Sequence, residues 1–297
     1  MPGTDDAFAG IAYVASVAPL TTAFDGFILD QWGVLHDGTT PYPGAVECLA
    51  RLHATGKRIV VLSNSGKREA DNLRLLERIG FEINLIDHFV SAGEDARNAI
   101  EARSSTFHMG LGRRCYAFTR GGDRSLLEGI GLEFVDTVHD ADFLAVIGTD
   151  SPRRGVADYE AELRAALARS LPMVCANPDI ARLTPNGLIE APGVLAQRYE
   201  TLGGAVMYHG KPHRAIYSSC LAALGCLADR VLAIGDSVEH DVLGAVRVGI
   251  RSALIPGGVH GPELGVAWGQ RPSVQRWKTF AANAPAKPDY LLRAFNW

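Results

Sequence analysis

Four polar side chains stand at or just past the ends of apolar runs: Asp30 after FIL, Ser63 after IVVL, Lys211 after MYHG and Asp236 after VLAIG. In a parallel sheet wrapped by helices, the carboxyl ends of the strands share one edge, and ligands bind there. The four groups are therefore expected to converge. Two carboxylates, Asp30 and Asp236, can hold a hard cation such as magnesium, which takes oxygen ligands in near-octahedral geometry. Ser63, Asn64 and Ser65, read as opening a helix, can offer a hydroxyl and backbone amides to an anionic oxygen at the positive helix end. Lys211 adds a point charge for the same anion, and a phosphoryl group satisfies all of these donors at once. Each residue alone has a plainer use: an acid at a strand end caps the next turn, and a lysine between Gly210 and Pro212 is a solvated turn residue. The ordered set is what points to chemistry.

The elements that must position these groups alternate between strand-like and helical patterns, as in a parallel sheet covered on both faces. FDGFILD reads as the first clear strand. PGAVECLARLHATGK has Val46, Leu49 and Leu52 at helical spacing and stops near Gly56, before the strand RIVVLSNS. READNLRLLERIG repeats the helix, and HFVSAGEDARNAIEARS supplies a strand and another helix. From about residue 112 to 205 the texture changes. RRCYAFT, FLAVIGTD and LPMVCANPD read as strands, DRSLLEGIG and YEAELRAALARS as helices, and the stretch is expected to form its own layer. The first rhythm returns in MYHGKPHRAIYSSCLAALG, RVLAIGDS and HDVLGAVRVG. The fold expected is α/β: a doubly wound parallel sheet from residues 1–111 and 206–297, with a smaller α/β cap, residues 112–205, inserted between. The tail from Val266 to Lys287 reads as irregular, and PDYLLRAFNW as a last docked strand or helix.

Composition narrows the partners. The 297 residues are 47% hydrophobic and 21% charged with a formal charge of -4, which suits a globular chain with a sizeable core and lacks the basic footprint of a nucleic-acid binder. The five cysteines (Cys48, Cys115, Cys175, Cys220 and Cys226) are scattered in apolar surroundings, with no metal or redox spacing, and read as buried thiols in a reducing compartment. No run approaches the ~18 apolar residues that span a bilayer. The start, MPGTDDAFAG, is acidic and has no leader pattern. A cytoplasmic protein with a small-molecule partner and no membrane is expected.

The order DQWGVLHDG, PYPGA, LSNSGK, NPD, GKP and GDSVEHD resembles the haloacid dehalogenase superfamily of aspartate-nucleophile enzymes. The resemblance is to its class IIA branch, whose α/β cap is inserted between the second and third motifs, and it runs from Phe24 to Leu292. That branch includes phosphatases of sugar phosphates, nucleotides, phosphoglycolate and pyridoxal phosphate. The resemblance implies a Rossmann-like core, Mg2+ as cofactor, a small phosphorylated metabolite as substrate, and a phosphoric monoester hydrolase working through an aspartyl-phosphate. It also implies that a homo-oligomer can form through the cap. Residue by residue, it makes Asp30 the nucleophile and a magnesium ligand, Ser63 and Asn64 holders of phosphate oxygens, and Lys211 the partner of both nucleophile and phosphate. Asp236 becomes a metal ligand, and Asp241 a metal support acting through water. On type alone, Asp241 is a first-turn helix acid facing the dipole. Asn177 and Asp179, in the NPD of the cap, are implied to contact substrate; the same three residues also suit a simple turn. The cap arginines, among them Arg113, Arg114, Arg120, Arg124, Arg153 and Arg154, can recognise a second anionic group.

The resemblance breaks at Trp32. Phosphatases of this superfamily read DxD, and the second acid protonates the leaving oxygen and later deprotonates the attacking water, a role worth ~10²–10⁴ in rate. Indole donates a hydrogen bond but does not give up its proton. The resemblance implies that the backbone carbonyl of Trp32 still serves as the magnesium ligand at this position, since any residue supplies a carbonyl. Turnover restricted to good leaving groups, takeover by His36, Asp37, His209 or His213, and phosphometabolite binding with little turnover are the three outcomes. His36 and Asp37 otherwise read as exposed residues of an Asp-Gly turn. A true haloacid dehalogenase also lacks the second acid, but it needs no metal, and GDSVEHD argues for one.

Overall fold

In the computed structural model, which describes residues 8, 10–184 and 187–297, the strands fall into two parallel sheets and one two-stranded antiparallel hairpin, Ala181–Thr184 with Gly187–Glu190. The acidic start MPGTDDA lies outside the described residues. Strands β1 (Ala12–Val14), β2 (Gly26–Asp30), β3 (Arg58–Ser63) and β4 (His88–Ser91) come first. They are followed by β5 (Arg114–Phe118), β6 (Glu133–Phe134), β7 (Phe143–Val146), β8 (Met173–Cys175), β9 (Ala181–Thr184), β10 (Gly187–Glu190) and β11 (Val206–Tyr208). The last three are β12 (Val231–Gly235), β13 (Arg251–Leu254) and β14 (Tyr290–Leu292). The core sheet runs β1-β14-β13-β12-β2-β3-β4, all parallel, and the second sheet runs β11-β8-β7-β5-β6, also parallel. The α/β, Rossmann-like fold expected from the sequence is thus present.

The central strands are apolar on both faces because both are covered. Phe27 and Leu29 of β2 pack with Ile59 and Val61 of β3 on one side, and Ile28 packs with Val60, Leu62 and Tyr217 on the other. Only the last residue of such a strand reaches the sheet edge, so a polar Asp30 is tolerated there and nowhere earlier in β2.

Four elements differ from expectation. β1 precedes the strand read as first and pairs with β14 at the sheet edge. The tail holds a helix, Val274–Asn283, whose N-cap Ser273 accepts from the Arg276 N–H and which buries Trp277, Phe280 and Ala281. DRSLLEGIG makes only a single turn, Ser125–Leu127, too short a run before Gly129 for a helix. β11 belongs to the second sheet through its pairing with β8, past the boundary drawn at residue 205. Among the described residues no helix is long and apolar enough to cross a membrane.

The chain leaves the core through residues near His108 and returns through His209. At this crossing His108 Nε2 lies 3.1 Å from His209 Nε2, and His209 Nδ1 lies 2.6 Å from Asp95 Oδ2 on the core helix Ala92–Ala102. These contacts fix the strand exit two residues before Lys211.

Candidate active site

Asp30, at the end of β2, and Asp236, just past β12, reach the same edge because their strands are paired neighbours. Asp241 comes to them from a π-turn, Val238–Val242, rather than from the regular helix expected, and its Oδ2 accepts the Ser237 N–H at 3.1 Å. One oxygen from each of the three carboxylates lies within 4.8 Å of the others, and all three residues are buried. Lys211 Nζ sits 2.7 Å from Asp30 Oδ1 and 2.8 Å from Asp241 Oδ1. The loop after β2 closes tightly over Asp236. Gly33 has φ +79°, and a Cβ there would stand 2.0 Å from Asp236 Oδ2.

Three acids facing one ammonium form an unbalanced buried cluster. Burial, opposed by Lys211 and reinforced by Asp241 and Asp236, holds the Asp30 carboxyl well above the usual carboxylate range. Burial and Asp241 push Asp236 up to about 7. Lys211 keeps its proton: burial works against it, but Asp241 and Asp30 outweigh burial and raise it further. An all-oxygen donor set with surplus negative charge fits a hard divalent cation. An acid whose folded pKa is raised contributes stability below its unfolded value and loses it as pH rises through the folded one. The metal-free protein is therefore expected to melt at lower temperature as pH rises from about 4 to about 8, with added magnesium restoring the upper end by mass action. Melting curves across that range, with magnesium and with a chelator, check this. A profile that magnesium does not alter would remove the cation from the cluster.

The anion side is built from the β3 exit. Ser63 is buried, and its Oγ accepts the Ser65 N–H at 3.2 Å, leaving the hydroxyl proton free to donate. Asn64 is committed on both ends of its amide: Oδ1 accepts the Lys211 N–H at 2.7 Å, and Nδ2 donates to Asp179 Oδ1 at 2.8 Å. What it leaves for an anion is its backbone N–H. The helix that SNS was read as opening starts only at Glu69, after an extended Arg68, so these amides belong to a loop and not to a helix end. Asp179 also lies 3.2 Å from His240 Nδ1, and Asn177 Oδ1 accepts the Asp179 N–H. The NPD segment thus bridges cap and core over a cleft of about 680 Å³ lined by Asp30, Trp32, Ser63, Asn64, Asn177, Asp179, Lys211, Asp236 and Asp241.

Trp32 lines this cleft half-buried, edge-on to the His36 ring with centroids 5.1 Å apart. Gly38, at φ +101°, passes against the indole so closely that a Cβ would lie 2.3 Å from it. His36 is not the exposed turn residue expected. It is fully buried, its Nδ1 accepts the Gly38 N–H at 2.8 Å, and its Nε2 has no partner. Burial pushes it down to about 4, so at neutral pH it is no imidazolium. Asp37 faces the cleft, but amides and hydroxyls of Thr39 and Thr40 hold it at about 2 despite some burial, so it is ionised. His209 and His213 do not line the cleft. His240 does.

Of the cap arginines singled out in the sequence, only Arg120 lines the cleft; Arg182, on β9, joins it there unannounced by any motif.

Comparisons with known proteins bear on the family and the fold. Residues 27–133 match a family model described as haloacid dehalogenase-like hydrolase, and residues 208–276 one described as HAD-hydrolase-like. Together they cover more than half of the chain and flank most of the cap. The chain is 27% identical over 239 residues to the Bos taurus haloacid dehalogenase-like hydrolase domain-containing protein 2, covering 80% of this chain and 85% of that one. A haloacid dehalogenase-like hydrolase of Brucella suis superposes with TM-score 0.79 at 28% identity, over 95% of this chain and 99% of that one. A p-nitrophenyl phosphatase of Archaeoglobus fulgidus superposes with TM-score 0.67 at 26% identity, over 90% and 95% of the two chains. The two family matches on either side of an inserted cap, and the whole-chain likeness to these hydrolases, make this chain a member of the haloacid dehalogenase-like hydrolase family, in the branch whose cap lies between the second and third motifs.

Proposed function

We propose that this chain is a magnesium-dependent phosphatase of small phosphate monoesters, sugar phosphates among them, that carries the phosphoryl group on Asp30. The observation that supports this most is Lys211, a buried ammonium bonded to both Asp30 and Asp241 at the carboxyl edge of the core sheet. The Archaeoglobus p-nitrophenyl phosphatase, alike over nearly the whole chain, supports the same reading.

In the proposed reaction an Asp30 oxygen attacks phosphorus in line with the ester oxygen, and the P–O bond to the leaving group breaks. Lys211, the Ser63 hydroxyl and the Asn64 N–H hold the phosphoryl oxygens, while Asn64 and Asp179 keep Lys211 and the cap in register. Water then attacks phosphorus, the P–O bond to Asp30 breaks, and the water's proton leaves with the inorganic phosphate. Asp30, Asp236 and the Trp32 carbonyl would hold magnesium, with Asp241 acting through water, and the ion would neutralise charge on the transferring group. Asp241 suits an outer role because both its oxygens are engaged, one by Lys211 and one by the Ser237 N–H.

The test is phosphate release from phenyl phosphate, acetyl phosphate and glucose 6-phosphate, with magnesium and with a chelator. Release is expected with magnesium only. Asp236→Ala is expected to raise the magnesium needed by more than the ~10–100-fold typical of outer-sphere partners. Binding of these esters without release would leave a phosphometabolite-binding protein instead. Release indifferent to the chelator would remove the metal from the chemistry.

A further inference from the structure

Two sets stand out among the cap arginines, beside Arg113, Arg153 and Arg169, which among the described residues neither pair with an acid nor line the cleft. Arg114, Arg124, Arg154, Arg164 and Arg198 each pair with an acid of the cap itself, and none of them lines the cleft. Arg120 and Arg182 do line it, and among the described residues neither side chain has an ion pair or a hydrogen bond. The Arg182 Nε is buried with no acceptor. Burial and then the nearby Arg120 depress the basicity of its guanidinium, with Asp179 opposing them, and among the described residues neither arginine has an acid in ion-pair contact.

The acids on the same wall relieve this only in part: Asp179 attracts the Arg182 guanidinium through space without contacting it. Asp179 is committed to Asn64 and His240, and Asp123 to the hydroxyl and N–H of Ser125. A half-buried, unpaired guanidinium is costly, and its planar fork matches a carboxylate or phosphate in a bidentate contact. Beside the pair, Ile180 and Leu188 expose apolar surface, 43% and 45%, that a short carbon skeleton can cover.

We propose that the cleft selects phosphate monoesters carrying a second anionic group, a carboxylate or another phosphate, which Arg120 and Arg182 hold while the phosphoryl group lies at Asp30 and Lys211. This rests on the phosphatase reading for the Asp30 end and adds the specificity of the cap end. Arg120 and Arg182 bind the remote group and take no part in bond making.

Phosphonates test it without turnover. Phosphonoacetate, 3-phosphonopropionate and 4-phosphonobutyrate are titrated calorimetrically into the magnesium-loaded full chain beside ethyl-, propyl- and butylphosphonate, in which a methyl replaces the carboxylate. Propylene-1,3-bisphosphonate separates phosphate from carboxylate as the second anion. At least one doubly anionic compound is expected to bind about tenfold or more tighter than its alkyl counterpart, as one charge-assisted contact allows. Arg182→Gln and Arg120→Gln should each erase most of that preference while leaving alkylphosphonate affinity within about twofold, and Arg182→Lys should keep part of it. Melting curves establish that the variants fold. If alkylphosphonates bind and a second anion adds nothing, or if the substitutions weaken both classes alike, this inference is overturned and the phosphoryl site stands. If no phosphonate binds, the phosphoryl site fails too, and the proposed function with it.

Discussion

Asp30→Asn is expected to lower phosphate release from every ester by at least ~10⁴-fold, the scale on which loss of a nucleophile is felt. A carboxamide cannot form the acyl-phosphate. Stability is expected to move the other way. Asp30 is held well above the usual carboxylate range by burial and by Asp241 and Asp236, against the pull of Lys211, so its ionised form is under strain in the metal-free fold. Asparagine removes one repulsive charge and leaves Lys211 its 2.8 Å contact with Asp241. The metal-free variant should therefore melt no lower than the parent near neutral pH, and inactivity could not then be laid to unfolding. Phosphate release and melting temperature, measured on the same preparation, decide the point. Beryllium fluoride should bond to Asp30 in crystals of the parent and not to the asparagine. A variant that releases phosphate undiminished would end the case for Asp30 as nucleophile.

The site's core was legible because buried parallel strands leave little room for ambiguity. GFILD and VLAIG must be apolar on both faces, so an acid at or just beyond the last position can only be an edge residue, and two neighbouring strands ending this way bring Asp30 and Asp236 together. Asp241 was placed by the family resemblance; its type said only that a helix start tolerates an acid, and the π-turn that turns it toward Lys211 has no sequence signature. The burial of His36 is not legible in the sequence because Asp-Gly signals a turn but not what the turn folds against. Here the loop doubles back, with the Tyr42 N–H donating to the Leu35 carbonyl at 2.9 Å, and His36 is packed beneath the indole. Arg182 was invisible for another reason. Among many cap arginines, nothing local distinguishes one that finds an acid from one that does not, because pairing depends on tertiary neighbours. The tail helix has a local signal in the sequence: Ser273 at the cap, then Val274, Trp277, Phe280 and Ala281 on one face.

Trp32 should make turnover depend steeply on the leaving group. With no acid at this position the departing oxygen leaves as an anion, so in single turnover aryl phosphates should be cleaved ~10²–10⁴ times faster than alkyl phosphates, the range a general acid otherwise supplies. Substituting Trp32→Asp should bring the two closer, chiefly by raising the alkyl rate. The structure bears on whether this variant can be made. The indole is half-buried at the cleft wall rather than in the core, so its loss should cost less than the ~3–5 kcal/mol of a buried tryptophan. Gly38, which lies against the ring, is then left facing a gap that solvent from the cleft can fill. Melting curves measured beside the kinetics separate a lost fold from a lost acid. If the parent already cleaves alkyl and aryl esters at equal rates in the chemical step, some other group delivers the proton. It is not His36, which is buried and pushed down to about 4, nor Asp37, held ionised at about 2. Two imidazoles line the cleft: His260, whose Nε2 accepts the Val238 N–H, and His240, whose Nδ1 lies 3.2 Å from Asp179 Oδ1, so His240→Gln would then be the substitution expected to restore a steep dependence on the leaving group.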